Sequence, residues 1–183
     1  MWSIEKTLAN KNTPWLPLST GRYYSNPATN ALTTLTLSTN TLYAIPILLP
    51  ELHTATSINI EVTTQSAGNN LRMGIYSDLS GVPDTLLLDA GTVSLTGTGN
   101  KAITISQSMP MNWYWLALVA NGAAAVRALS QTNAMPMLGF SSGTDTTFHV
   151  GWSVAFTYAA LPSTFTGGGA LMSGAAPRLL LGI

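Results

Sequence analysis

Any chemistry in this chain has to come from very few residues: seven Asp and Glu, two His and no Cys in 183 positions. Asp78, Asp84 and Asp89 lie close in sequence, and glycoside hydrolysis uses a pair of carboxylates across a cleft. Here they are interleaved with Ser80, Gly81 and Pro83, a setting in which Asp hydrogen-bonds its own backbone in turns. A structural turn is the expectation. The alternative with chemical content is a calcium ion held by Asp78, Asp84 and loop carbonyls, which needs about six to eight oxygen ligands.

Neither His53 nor His149 sits near a Ser in a nucleophile elbow. A zinc site needs a third ligand at suitable spacing, and His53 with Glu51 follows Pro50 in what reads as a turn. The glycines at 167–169 lack the Lys and Ser/Thr that complete a phosphate-binding loop. No catalytic, cofactor or metal residue is therefore expected, and the chain reads as a non-enzyme that works by binding. Trp152, Phe156 and Tyr158 alternate and could stack on sugar rings in a groove. Alternate aromatics on a strand are more usually the inner face of a sandwich, which is the expectation here.

These residues need a scaffold, and residues 71–91 show what kind. Leu71, Met73 and Ile75 alternate with Arg72, Gly74 and Tyr76 at the period of a strand with one buried face. Turn-forming residues fill 78–84, and Leu86, Leu87 and Leu88 restart an apolar run that closes at Asp89 and Gly91. Further strands are expected at 32–37, 42–49, 57–64, 71–77, 85–89, 92–95, 102–106, 113–120, 126–130, 148–158 and 178–183. About eleven such segments with regular punctuation suit two packed sheets. Ile58, Ile60 and Val62 alternate with Asn59, Glu61 and Thr63, predicting one wet face. Pro46 inside an apolar run predicts an edge or a bulge. Residues 113–120 are apolar on both faces, which predicts a central strand covered by the opposite sheet and by an arm or neighbouring subunit. Residues 164–174 are glycine-rich and read as a loop without a core. No helical period is sustained beyond the N-terminus, so the fold class expected is all-β, an antiparallel jelly-roll-like β-sandwich.

Residues 1–22 differ from the rest. They carry Trp2, Trp15, Lys6, Lys11, Arg22, Pro14 and Pro17, with a short helix expected over 3–10 and extended chain after it. They read as an N-terminal arm before a sandwich domain at 23–183. The arm reads either as a strap folded over its own sandwich or as a docking arm, with Trp2, Ile4, Leu8, Trp15 and Leu16 as candidate anchors, since apolar and aromatic residues in a tail gain by burial against a partner.

Charged residues make up only 8% of the chain and the net charge is zero. Such a surface gives no field to draw nucleic acid or an anionic membrane. It also does little to keep copies apart, so a homo-oligomer is expected. The start has no apolar signal core, and no run approaches the length of a membrane span.

The pattern G-I-Y-x-D-x-x-G-x-P-x-x-L-L-x-D-A-G at 74–91 resembles one found in β-sandwich domains of tailed-bacteriophage virion proteins. The pieces YAIPILL at 43–49, YWLALV at 114–119, LPSTF at 161–165 and a closing strand at 177–183 agree with it in order. The resemblance implies a virion location and a role as head decoration or cement, short head fibre, or tail-fibre component. It implies a homotrimer more than the residues do, with the major capsid protein or tail proteins as partners. The alternative is a carbohydrate-binding module that recognises a host glycan.

Overall fold

A computed structural model describes residues 17–27, 31–130, 132, 134–135, 137–140, 142–144, 148–167 and 169–183. The helix expected over 3–10 and the anchors Trp2, Ile4, Leu8, Trp15 and Leu16 lie outside the described residues. Among the described residues the chain is all-β. Its strands are β1 (Tyr23–Tyr24), β2 (Thr33–Thr36), β3 (Thr41–Leu49), β4 (His53–Thr64), β5 (Asn70–Leu79), β6 (Val82–Ser94) and β7 (Gly99–Met109), then β8 (Asn112–Ala120), β9 (Ala125–Ser130), β10 (Trp152–Ala155), β11 (Ala170–Leu171), β12 (Ala175–Pro177) and β13 (Leu180–Gly182).

They form two antiparallel sheets. One runs β1-β13-β4-β9-β12, with β7 on the other side of β4 and β2 beside β9; the second runs β11-β10-β3-β8-β5-β6. Alternation decides which side chains meet between them. Ile58, Ile60 and Val62 from β4 are buried there against Met73 and Ile75 from β5 and Leu116 and Leu118 from β8. Each such side chain contributes about 1.5–3 kcal/mol by leaving water.

Several strand expectations need correction. The segments expected at 85–89 and 92–95 are one strand, because Gly91 at φ +95° is accommodated within β6 beside a register shift in its pairing to β5. The long strand expected at 148–158 is only β10. The closing strand expected at 178–183 is only β13, with the short β12 just ahead of it. The turn expected over 78–84 is a two-residue turn, Ser80–Gly81, both at positive φ as a type I′ hairpin requires. Pro83 and Asp84 already belong to β6. Asn59, expected on a wet face, is buried and donates to Ser57 Oγ at 2.8 Å. Pro46 lies in a strand paired on both sides, but the β10 ladder covers only Thr41–Ala44, so at Pro46 that side has no strand partner.

On the outer face of β8 the chain supplies cover of its own. Trp115, Ala117 and Val119 join Leu42, Ala44 and Tyr76 in a second apolar layer capped by Leu161 and Phe165. Trp152, Phe156 and Tyr158 pack against this outer layer, so they are not inner-face residues as their alternation suggested. The segment at 156–166 therefore acts as a strap across the sheet. It begins beside β3, where Phe156 N–H donates to the Asn40 carbonyl, and ends on β6, where Leu86 N–H donates to Ser163 O and Phe165 N–H to Asp84 O. Phe165 and Met172 are buried, so the glycine-rich stretch does contribute to the core.

Candidate binding surface

The residues of the 74–91 pattern and those of L-P-S-T-F are two halves of one lock. Gly74 leaves room that a side chain would deny: a Cβ there would strike Leu161 Cδ1 and lie 2.5 Å from Leu88 O. Tyr76 donates its hydroxyl to Pro162 O at 2.9 Å and packs its ring against Phe165. Asp89 accepts Leu161 N–H at 3.0 Å and is itself held by Arg72 Nε at 2.8 Å. That ion pair and its hydrogen bond push the Arg72 guanidinium up.

Asp78 does use a turn contact, accepting Gly81 N–H at 3.1 Å. Its other oxygen accepts the indole N–H of Trp115 at 2.8 Å, a bond across strands that nothing in the local sequence signals. Asp84 accepts from Thr85 Oγ1 and forms no such turn. Among the described residues no group of three His, Asp or Glu is placed to hold a metal ion. His53 Nε2 lies 3.0 Å from Glu51 Oε1.

Two clefts flank the Ser80–Gly81 turn. One, of about 250 Å³, is lined by Pro46, Asp78, Gly81, Trp113, Trp115 and the loop residues Met137 and Leu138. The other, of about 230 Å³, is lined by Val82, Pro83, Trp152, Phe165, Thr166, Gly167 and Gly169. The sequence showed an apolar outer face on β8 but not what would wall it, because Met137 and Leu138 come from an irregular segment with no period.

The two ends of the sandwich differ in chemistry. Leu49 pairs with Asn112, Ser77 with Tyr114 and His53 with Met109, which brings the turns after β3, β5 and β7 to one end. Leu52, Leu79 and Met111 project there, 66%, 57% and 62% exposed. At the opposite end small polar groups satisfy the turns: Asn121 Oδ1 accepts from Asn70 N–H and Gln65 Oε1 from Gly97 N–H. The ladder of the N-terminal strand starts on the apolar side, where Gly21 N–H donates to Ile183 O and Ile183 N–H to Arg22 O. Pairing thus reaches into residues 21–22, which the sequence placed in the arm.

No family model and no curated protein matches this chain.

Proposed function

We propose that the chain is a non-enzymatic structural protein of a tailed-phage virion, a jelly-roll-like sandwich that docks to capsid or tail proteins and to its own copies. In this reading it serves as a decoration, cement or short-fibre component, and a trimer is the preferred assembly. The observation that carries the reading is the apolar end. Leu52, Leu79 and Met111 stand in water where the N-terminal strand starts, on a protein with almost no charge to offset them. An assembled particle covers such an end. Trp2, Ile4, Leu8, Trp15 and Leu16 supply further docking anchors from the segment that leads to it. The order of the 74–91 and 161–165 patterns supports the same reading by resemblance.

Imaging of purified particles from the same genome, with tagged copies located in the density, tests it. The expected result is the protein on the particle exterior in symmetric clusters. Particles that lack it would end the proposal.

A second reading, recognition of a host glycan, is supported by the cleft that sets Trp152 and Phe165 beside Pro83 and Thr166. Aromatic side chains with a hydroxyl nearby suit a sugar ring. Glycan-array binding that Trp152→Ala abolishes favours it.

A further inference from the structure

The cleft floored by Trp115 holds a negative charge that no described cation neutralises. Both hydrogen-bond partners of the Asp78 carboxylate, Trp115 Nε1 and Gly81 N, are neutral donors. The ion pairs among the described residues join His53 to Glu51, Arg72 to Asp89, and Arg127 and Arg178 to Glu61; none includes Asp78. Lys101 is occupied by the Thr96 carbonyl at 2.6 Å. Around this carboxylate the walls are indoles and apolar groups: Trp113, Trp115, Pro46, Met137 and Leu138. Trp113 is partly buried, and Trp115, two residues further along the same face of β8, is fully buried.

We propose that this cleft binds an alkylammonium group. An uncompensated anion among aromatic rings favours an organic cation over a neutral or anionic ligand, since the rings attract positive charge and the apolar walls suit its alkyl substituents. The volume, about 250 Å³, lies just below the usual range for small-molecule sites, so the occupant is a headgroup or a side-chain tip. Two sources share this chemistry. One is the lysines of the chain's own N-terminal segment, Lys6 and Lys11; the other is an ammonium group on a surface that the protein meets. The site does not depend on the virion reading.

The test uses the full chain and choline, read by the trimethylammonium proton resonance, which shifts upfield when the group sits against aromatic rings. Wild type and a Lys6→Gln, Lys11→Gln double variant are titrated in parallel. Equal binding by both assigns the site to an outside cation; binding strengthened in the double variant assigns it to the chain's own lysines. Asp78→Asn keeps an oxygen for the Trp115 indole and weakens binding by about tenfold or more. Trp113→Leu, which changes a partly buried ring, weakens it by about threefold with the strand spectrum unchanged. That second variant decides the matter if Asp78→Asn unfolds. The proposal is overturned if choline shows no upfield shift with either protein. It is equally overturned if 3,3-dimethylbutanol, the neutral isostere of choline, binds as well as choline does.

Discussion

Tyr76 and Phe165 meet edge to face, ring centroids 5.3 Å apart at an interplanar angle of 86°. Their contact joins the central strands to the strap that covers them. Phe165→Ala is expected to cost about 3–4 kcal/mol for a buried aromatic. A double-mutant cycle with Tyr76→Leu and Phe165→Leu should return a coupling of about 1 kcal/mol in urea unfolding. Additive effects would show that the edge-to-face contact itself does not help to hold the strap.

Gly74→Ala places a methyl against Leu161 and against the Leu88 carbonyl. Overpacking of this kind costs about 1–3 kcal/mol. Leu161→Ala should relieve only part of it, because the Leu88 oxygen belongs to the backbone of β6 and cannot rotate away. Full rescue in the thermal midpoint would contradict the fit described above.

Alkaline stability should depend on Tyr76. Burial, and secondarily the Asp89 carboxylate, push its phenol well above the ordinary range. Burial pushes Tyr114 up as well, and Tyr158 too, with Arg72 working against it. An unfolded tyrosine ionises near pH 10, so the folded state keeps its full advantage below about pH 10 and loses it as the pH rises toward the raised folded values. Tyr76→Phe should flatten that alkaline limb, at a cost of about 1 kcal/mol at neutral pH for the lost bond to Pro162.

The acid limb has a different owner. Hydrogen bonding from Arg127, then the charges of Arg127 and Arg178, outweigh desolvation and hold the Glu61 carboxyl below its ordinary value. Its contribution is present above the unfolded value of about 4.5 and fades as pH falls through the lowered folded one. Glu61→Gln should make stability between about pH 5 and 3 less steep, with little change near neutrality when salt is moderate.

Truncation separates docking from folding. Removing residues 1–16 spares the bonds of Gly21 and Arg22 to Ile183, so strand content should be unchanged by circular dichroism. Attachment to particles or to sister copies should be lost. Light scattering should give a trimer for the full chain, and Trp2→Ala or Trp15→Ala should each weaken association by about 2 kcal/mol. Full occupancy of the truncated protein on particles would move docking to the sandwich.

What the sequence disclosed follows from what is local. The alternation of Ile58, Ile60 and Val62 placed them in the core because a strand's period does not depend on distant residues. Tyr76 and Asp89 were visible as members of a pattern, yet their partners Pro162 and Leu161 lie far along the chain and no period links them. The same distance hid the Asp78–Trp115 bond, and with it the charged floor of the first cleft. Trp152, Phe156 and Tyr158 were read onto the wrong face because the strand that would have set their alternation ends at Ala155, where the strap leaves the sheet.

Tyr23 pairs with Gly182, which pairs in turn with Ser57. On a ribosome β1 therefore has no neighbour until residues 180–182 have left the exit tunnel. That stretch of β4 must stay open until then, while the β5–β6 hairpin can close early from its own two-residue turn. Strand β13 acts as a timer: the position where β1 meets the sandwich is set only once β13 has emerged and paired.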